Sequence, residues 1–343
     1  MKQLLFAGFF FLLISCTKKR QADPVDVLQV TVNSSRIYAD GIDELRIRVT
    51  DIDSNDITAS STVYIDGTPL NGYIFTTNTA KEYTVKAVSG GAGSAPVYFR
   101  AVVASSNRFS KKIVVEEFAG TWCGYCPATT RKVDSLHNAF QNIIPVQVHN
   151  GDPLQYMYEP QMRNRFGISS FPAVYLERSL VWDGMPSSIQ TALHKIAKCG
   201  LALFSAINGN QISLEVRVKF DITTSVPLRL VVVLLEDSVV SPQVNLYNNT
   251  PGSPFFNAGN PIPDYTHNNV LRKSATDIFG DAIPVEAAVK DSVYSRSFGV
   301  DASGLNLATL KLAAYVIFAE NTGSRFGVLN AQLVHAGLHQ DFD

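Results

Sequence analysis

Three stretches of the chain differ in how hydrophobic and polar positions are spaced. Residues 25–104 contain short segments such as "ELRIRVTD" and "EYTVKAV", in which apolar and polar residues alternate. Turn residues, including Asp66-Gly67 and a run of glycines from Gly90, separate these segments. Alternation with a period of two predicts half-buried β-strands. Short strands at this spacing predict a β-sandwich over residues 25–106.

The spacing changes at Lys111, where "KKIVVEEF" is a mostly apolar run of strand length. In the residues that follow, Cys126, Val133 and Leu136 recur on one face of a helix. Next come a second apolar strand, "NIIPVQVH", a helix in "LQYMYEPQMRNRF", the strand pair "PAVYLE" and "LVWDG", and the amphipathic helix "SSIQTALHKIAK". The predicted order over residues 111–198 is therefore β-α-β-α-β-β-α.

Strand patterns return after Gly200, and residues 200–343 are predicted to form a second β-sandwich. Residues 241–269 interrupt this region with no regular spacing. Loops of this length inside a compact domain are usually functional or disordered. The aromatic and asparagine side chains of the segment leave two interpretations open, a docking surface for a partner or a cover over one sheet.

The first sixteen residues, "MKQLLFAGFFFLLISC", carry one lysine followed by an apolar run over residues 4–14. A helix needs about 20 residues to span a bilayer, so this run has the length of a signal-peptide core instead. Its end, Leu13-Ile14-Ser15-Cys16, resembles the lipobox of bacterial lipoproteins. The resemblance implies that residues 1–15 are removed, that Cys16 is lipidated and that residues 16–24 form a tether. A plain secretory signal with a coincidental cysteine is the alternative.

The residues after the lipobox bear on location. Thr17 stands where an aspartate would signal retention in the inner membrane, so the resemblance favours the outer membrane. Basic residues at positions 18–20 favour the periplasmic face of that membrane. No later segment of the sequence is long and apolar enough to span a bilayer. We therefore expect a body tethered to the outer membrane through its N-terminal lipid.

Composition and charge narrow the range of partners. Of the 343 residues, 46% are hydrophobic and 17% are charged, as in ordinary folded proteins, and the formal net charge is −1. Nucleic-acid binding proteins present clustered basic residues to the phosphate backbone. The nearly neutral charge therefore predicts that nucleic acid is not a partner.

Four cysteines are present, and lipidation of Cys16 would leave three thiols. Cys123 and Cys126 are close enough in sequence to pair, and disulfides persist outside the cytoplasm. The pair has three interpretations: a redox dithiol, a structural disulfide or two metal ligands. A disulfide across so short a loop stabilises little, and the six histidines supply no second ligand pair, so no metal is expected. Cys199 is expected to be a small buried group, with a resolving or intermolecular role as the alternative.

The residues around the cysteine pair, "FAGTWCGYCPATT", add more specific matches. Trp122 precedes the first cysteine, Glu117 lies six residues before it, and "FGISSFPAVYLE" places Pro172 after Phe171. Together with the element order, these features resemble the thioredoxin superfamily. The resemblance implies a multidomain α/β plus all-β fold class. A central thioredoxin-like fold at residues 111–198 would be flanked by a β-sandwich similar to bacterial immunoglobulin-like modules and by the C-terminal β-sandwich.

The thioredoxin resemblance also implies roles for the cysteine turn. Cys123, at the start of a helix where backbone N–H groups favour an anion, would be the nucleophile. Cys126 would resolve the mixed disulfide, and Gly124 and Tyr125 would fill the tight turn between the two sulfurs. The redox-active disulfide would take the place of a cofactor. Protein thiols and disulfides of the cell envelope would be the partners.

Further roles follow from the same resemblance. Pro172, with a cis peptide bond after Phe171, would expose a backbone edge to an extended partner chain. Glu117 would relay a proton to or from Cys126, with exposure to water as the alternative. Trp122 would support the site from its position beside the cysteine turn.

The whole chain resembles an outer-membrane-protein family of Bacteroidetes lipoproteins, on its lipobox, its β-modules, "WCGYCP" and "YTHNNVLRKS". In the last motif, Tyr265, His267, Asn268 and Arg272 match a recurring feature of that family. The leading hypothesis is a membrane-anchored thiol–disulfide oxidoreductase of the envelope that acts on protein disulfides. The alternative is a non-enzymatic binding or adhesion lipoprotein that uses the thioredoxin-like domain as a scaffold.

Overall fold

The computed structural model of the chain describes residues 25–104, 108–319 and 327–343. The predicted signal peptide, lipidated Cys16 and tether of residues 16–24 lie outside the described residues. Strands predominate in the described part, which contains three α-helices. None of these helices has the length and apolar character needed to cross a bilayer.

Residues 25–102 are rich in strands, as their alternation predicts. The strands are β1 (Val25–Val32), β2 (Arg36–Tyr38), β3 (Leu45–Thr50), β4 (Thr62–Ile65), β5 (Thr68–Pro69), β6 (Ile74–Phe75), β7 (Lys81–Ser89), β8 (Ala92–Ser94) and β9 (Val97–Val102). They divide between two compact units, of which the smaller takes in the described residues 25–33, 47–73 and 83–98. In the smaller unit β1 pairs with β3 and β8, and β4 pairs with β7.

The larger unit contains all three helices and the remaining strands. Its central part consists of β10 (Ile113–Ala119), α1 (Cys126–Ala139), β11 (Ile143–His149), α2 (Glu159–Phe166), β12 (Ala173–Leu176), β13 (Leu180–Val181) and α3 (Pro186–Leu193). It continues with β14 (Cys199–Asn208), β15 (Gln211–Phe220), β16 (Leu228–Glu236), β17 (Val239–Val240), β18 (Thr266–His267), β19 (Val270–Ser274), β20 (Asp281–Ile283), β21 (Val293–Asp301), β22 (Leu310–Phe318), β23 (Val328–His335) and β24 (His339–Gln340).

A mixed sheet of nine strands runs through this larger unit. Its order is β13-β12-β10-β11-β19-β16-β22-β23, with β20 added beside β16. β10 and β11 are parallel, and β12 is antiparallel to β10. β11 then pairs in parallel with β19, where Gln147 lies opposite Val270. A second, four-stranded sheet has the order β21-β15-β14-β24.

The fold class predicted from the sequence is wrong. The elements from β10 to α3 do follow the predicted order, but their strands do not make a central thioredoxin-like sheet of their own. They are one end of the nine-stranded sheet, whose other strands come from residues 228–335. Local periodicity predicts the type and order of elements, whereas pairing between distant strands decides which sheet each strand joins. The domain boundaries stay a prediction.

Each face of the nine-stranded sheet has its own packing partner. Leu230 and Val232 of β16 face the four-stranded sheet and pack with Leu203 and Val216. The intervening residues, such as Val231, point the other way into a core with α2. At the far end, α1 and α3 cover β10, β11 and β12. The burial of β10 and β11 at every position follows from this two-sided cover.

Candidate functional site

The cysteine pair forms a disulfide at the junction of β10 and α1. The Cys123 N–H donates to the Gly120 carbonyl at 2.9 Å, and the Cys126 N–H donates to the Cys123 carbonyl at 3.1 Å. Pro127 is accepted in the first turn of α1, where its missing N–H has no intrahelical partner to lose. Cys123 is 4% exposed and Cys126 is 1% exposed. The disulfide is therefore nearly sealed from solvent.

A stretch of the aperiodic segment, residues 243–246, covers this turn; we call it the covering segment. The Val244 N–H donates to the Thr121 carbonyl at 2.8 Å, and the Leu246 N–H donates to the Gly124 carbonyl at 3.1 Å. The buried Gln243 amide donates to the Cys123 carbonyl at 2.9 Å. These hydrogen bonds hold the backbone of the cysteine turn at Thr121, Cys123 and Gly124.

Gly124 is required by the close approach of this segment. A Cβ at that position would lie 2.4 Å from Leu246 Cγ, well inside contact distance. From the sequence, Gly124 is expected to let the turn tighten. In the structure the missing side chain also makes room for Leu246. Residues 243–246 thus lie against the disulfide turn, while the docking surface and the cover over one sheet both stay predictions for the whole aperiodic segment.

Phe171, which precedes Pro172, packs against the cluster that contains the cysteine pair. The Phe171–Pro172 peptide bond is cis, as the sequence resemblance implied. The Phe171 ring meets Trp122 edge-on with centroids 5.4 Å apart. The Trp122 indole N–H donates to the Asn150 carbonyl at 2.7 Å, which holds the ring in place.

Glu117 is buried, so the alternative that it faces water is wrong. Its Oε1 accepts a hydrogen bond from the Thr130 hydroxyl at 2.7 Å. Burial without a cationic partner raises the pKa of Glu117 to about 8. The same Thr130 hydroxyl lies 3.2 Å from the Cys126 carbonyl oxygen, so the carboxyl group reaches the cysteine turn only through this hydroxyl.

A chain of buried polar groups continues from Glu117. The Gln147 amide donates to Thr130 Oγ1 at 3.3 Å, and its Oε1 lies 2.9 Å from His149 Nε2. His149 Nδ1 lies 2.7 Å from Asp152 Oδ2. This interior network of Gln147 and His149 is not predicted from the sequence. Their signal was present as two polar residues at alternate positions of an apolar strand, which share one face.

His267 lies beside this chain and is itself buried. Its ring centroid is 4.9 Å from that of His149. Neither ring nitrogen has a hydrogen-bond partner within the described residues. Burial, followed by the charge of His149, lowers the pKa of His267 to about 4. The ring is therefore neutral at physiological pH.

The four residues of the recurring family motif do not act as one cluster. Tyr265 and His267 are in ring contact, with centroids 4.9 Å apart. Asn268 instead accepts a hydrogen bond from the Ser238 N–H at 3.0 Å, and Arg272 pairs with Glu236 at 3.4 Å. Asn268, near the end of the aperiodic segment, and Arg272, just after it, thus contact residues that precede the segment.

Around the covered disulfide, several large side chains remain exposed. Tyr125 is 58% exposed, Leu246 51% and Trp122 47%. Tyr125 meets Tyr247 edge-on with centroids 6.0 Å apart. We call these four residues the aromatic surface. The cysteine turn and the covering segment with its neighbour Tyr247 build it together, which no local sequence pattern indicates.

The structure also shows the environment of the third thiol, Cys199, and bears on the interpretation of the cysteine pair as metal ligands. Cys199 is buried and unpaired, as expected of a small apolar group, and burial raises its thiol pKa to about 12. Such a thiol is a poor nucleophile at neutral pH. In the described part of the chain, no three histidine, cysteine or acidic residues are grouped as metal ligands.

These features define a mostly β protein in which a long segment seals a disulfide turn. Residues 159–340 match the family Outer membrane protein Omp28, which covers more than half of the chain. The chain belongs to the Omp28 family of outer membrane proteins. The resemblance to an outer-membrane family is thereby confirmed, whereas membership of the thioredoxin superfamily is not.

Several solved structures match the chain. HBP35 of Porphyromonas gingivalis aligns with a TM-score of 0.55 at 18% identity, over 67% of this chain and 77% of that protein. At this identity the match shows a shared fold and nothing about activity. The adhesin InvE of Yersinia pseudotuberculosis aligns over 91% of this chain and 60% of its own, at 10% identity and a TM-score of 0.17, which carries no argument. No curated protein matches the chain.

Proposed function

We propose that the chain is a non-enzymatic binding protein of the outer membrane, whose disulfide fixes the aromatic surface for a partner protein. The observation that carries this proposal is the cover over the disulfide by residues 243–246. A nucleophilic sulfur has to reach a sulfur atom of its partner. Cys123 is 4% exposed, and the backbone of its turn is already bonded to another segment of the same chain. This arrangement supports a structural role for the bond.

The exposed side chains support a binding role. Trp122, Tyr125 and Leu246 keep about half of their surface in solvent, although each could be buried by a partner. Aromatic residues are enriched in the cores of protein interfaces, because they bury a large area at little cost in side-chain entropy. The disulfide and the hydrogen bonds of the covering segment hold the surface rigid, which lowers the entropic cost of binding.

Photo-crosslinking in intact cells tests this function. A photoreactive phenylalanine analogue in place of Tyr125 should give a discrete adduct with a partner protein. The same analogue in place of Tyr98, which is 59% exposed and lies in the smaller unit, is the matched control. Adducts of equal yield at both positions would contradict a specific surface at the disulfide turn.

The attachment to the membrane is part of the same proposal. Lipidation of Cys16 and orientation towards the periplasm are inferred from the sequence, and the family supports the outer membrane. Metabolic labelling with palmitate should mark the protein, and Cys16→Ala should abolish the label and release the chain from the membrane fraction. A labelled Cys16→Ala variant would contradict the tether.

Thiol–disulfide exchange with envelope proteins is the second candidate function, favoured by the buried Glu117. With a pKa of about 8 this carboxyl carries a proton at neutral pH, as a general acid near a cysteine pair requires. In that function the Cys123 thiolate attacks a partner disulfide, one partner sulfur leaves as a thiolate, and Cys126 then displaces the other. Cys126→Ala should accumulate mixed disulfides through Cys123 if exchange occurs, and none if the bond is structural.

A further inference from the structure

A cavity separate from the disulfide turn lies along α1. Its volume is about 500 Å³, within the range of small-molecule sites. The apolar part of its lining comes from α1, from the loop between β13 and α3, from the start of α3 and from the aperiodic segment: Ala128, Leu136, Trp182, Pro186 and Pro254. The Trp182 indole N–H donates to the Met185 carbonyl at 3.0 Å, which fixes the ring at the cavity wall.

Two basic side chains, Arg131 and Lys132, line the same cavity. Both are exposed, and neither makes a side-chain hydrogen bond or an ion pair within the described residues. Two acidic residues adjoin the lining in sequence. Asp183 is already engaged by the Met185 N–H and the Ser188 hydroxyl. Asp134, next to Ser135, makes no ion pair with Arg131 or Lys132 within the described residues, and burial raises its pKa. The cavity thus combines an apolar wall with two uncompensated positive charges.

We propose that this cavity binds a single-chain amphiphile that has an acyl chain and a carboxylate head group. The acyl chain packs along Leu136, Trp182 and Pro186, and the carboxylate pairs with Arg131 and Lys132. A carboxylate accepts charge-assisted hydrogen bonds from a guanidinium and an ammonium group. The outer membrane to which the family belongs is a source of acyl compounds.

The charge and the size of the cavity select this ligand class. A neutral apolar compound would leave both cations without a counter-charge, and a peptide would need backbone hydrogen-bond partners that the apolar lining residues do not offer. A volume of about 500 Å³ suits one acyl chain better than a lipid with two chains and a large head group. The site is independent of the aromatic surface and of the disulfide.

The chain provides its own reporter for this site. It has two tryptophans, of which only Trp182 lines the cavity. In full-length Trp122→Phe protein, dodecanoate below its micelle concentration should change the Trp182 fluorescence saturably. Dodecanol, with the same chain and no charge, should bind at least tenfold more weakly. Isothermal titration of the unaltered protein measures the same affinities if the Trp122→Phe protein does not fold.

Charge variants identify the head-group contacts. Arg131→Gln with Lys132→Gln should weaken dodecanoate binding at least tenfold and leave dodecanol binding unchanged. Lys86→Gln with Arg100→Gln removes two exposed cations elsewhere and should have no effect. Equal affinity for dodecanoate and dodecanol, an unchanged affinity in the first double variant, or no binding in either assay would overturn the proposal.

Discussion

Two neighbouring carboxyl groups, on opposite sides of strand β10, lie in different environments. Glu116 points into the core shared with α2 and accepts two hydrogen bonds from Arg178, at 2.7 and 3.0 Å. Glu117 points to the side of α1 and the disulfide turn, where a hydroxyl group of Thr130 is its closest donor. Both side chains are buried. One carboxylate is thus neutralised by a cation, and the other is kept neutral by its own proton.

The two sides of the strand therefore differ in how they connect to the rest of the larger unit. Arg178 also donates to the Ile278 carbonyl at 2.7 Å and to the Tyr315 hydroxyl at 2.8 Å, so it ties β10 to distant parts of the sheet. On the other side, Glu117 is buried with hydroxyl and amide partners but no cation. Buried atoms without a hydrogen-bond partner occur on both sides within the described residues, namely Glu116 Oε2 and the two ring nitrogens of His267. We infer that the Arg178 ion pair stabilises the larger unit, whereas the contribution of the Glu117 side depends on pH.

The largest expected effect comes from breaking the paired side. Arg178→Met should lower the free energy of unfolding by about 3–5 kcal/mol, because it leaves Glu116 charged and buried. Adding Glu116→Gln to that variant should restore much of the loss. Urea denaturation of the three proteins measures the difference. An Arg178→Met protein as stable as the unaltered protein would refute the stabilising role of Arg178.

The next effect concerns Glu117 and depends on pH. Its folded-state pKa of about 8 lies above the 4.5 of an ordinary glutamate, so the folded chain binds the proton more tightly than the unfolded chain. The contribution is fully present below the unfolded pKa and is lost as pH rises towards 8. Between pH 5 and pH 8 the loss amounts to about 3 kcal/mol.

Glu117→Gln isolates that contribution from the other titrating groups. The variant should lose less stability than the unaltered protein between pH 5 and pH 8, as measured by urea denaturation at each pH. Asp53→Asn, a change of an exposed carboxyl group in the smaller unit, serves as a control that should keep the original slope. Parallel pH profiles for the unaltered protein and Glu117→Gln would show that Glu117 is not held in its protonated form.

A smaller effect should follow from lifting the covering segment. Gly124→Ala places a Cβ against Leu246 and should cost about 1–2 kcal/mol, with faster reduction of the disulfide by dithiothreitol. Leu246→Ala in the same chain should recover part of the stability, because it removes the closest atoms. Unaltered reduction kinetics in Gly124→Ala would mean that the segment does not protect the bond.

A similarly small effect is expected for the disulfide itself. Cys123→Ser with Cys126→Ser opens a very short loop, so the loss should be about 1–2 kcal/mol. Thermal unfolding should remain cooperative, with a transition a few degrees lower. Loss of folding in this variant would show that the bond, and not the Arg178 network, fastens this end of the sheet.

Several features of the site could be predicted from the sequence because their causes are local. The cysteine spacing indicated a pair, and the X-Pro step at Phe171-Pro172 matched a known cis position. The apolar run containing Glu117 indicated a buried strand, yet the environment of its carboxyl group depends on Thr130 in α1 and Gln147 in β11. No pattern within one element reveals which side chains meet between elements.

The aperiodic segment also shows that contacts between distant residues cannot be predicted from a local sequence pattern. Its composition left both a docking surface and a cover over one sheet open, since neither requires a periodic sequence. Its bonds to Thr121 and Gly124 join residues more than a hundred positions apart. Such contacts depend on where the sheet carries each end of the segment, and the nine-stranded sheet itself was not expected.

The sequence by itself determined the type and order of the elements from β10 to α3, the cysteine pair and the membership of an outer-membrane family. Only the tertiary structure decided that β11 pairs with β19 and that residues 243–246 cover the disulfide turn. The physical reason is the distance along the sequence over which each effect acts. Periodicity and turn residues act over a few neighbours, whereas strand pairing and burial join residues that the chain separates widely.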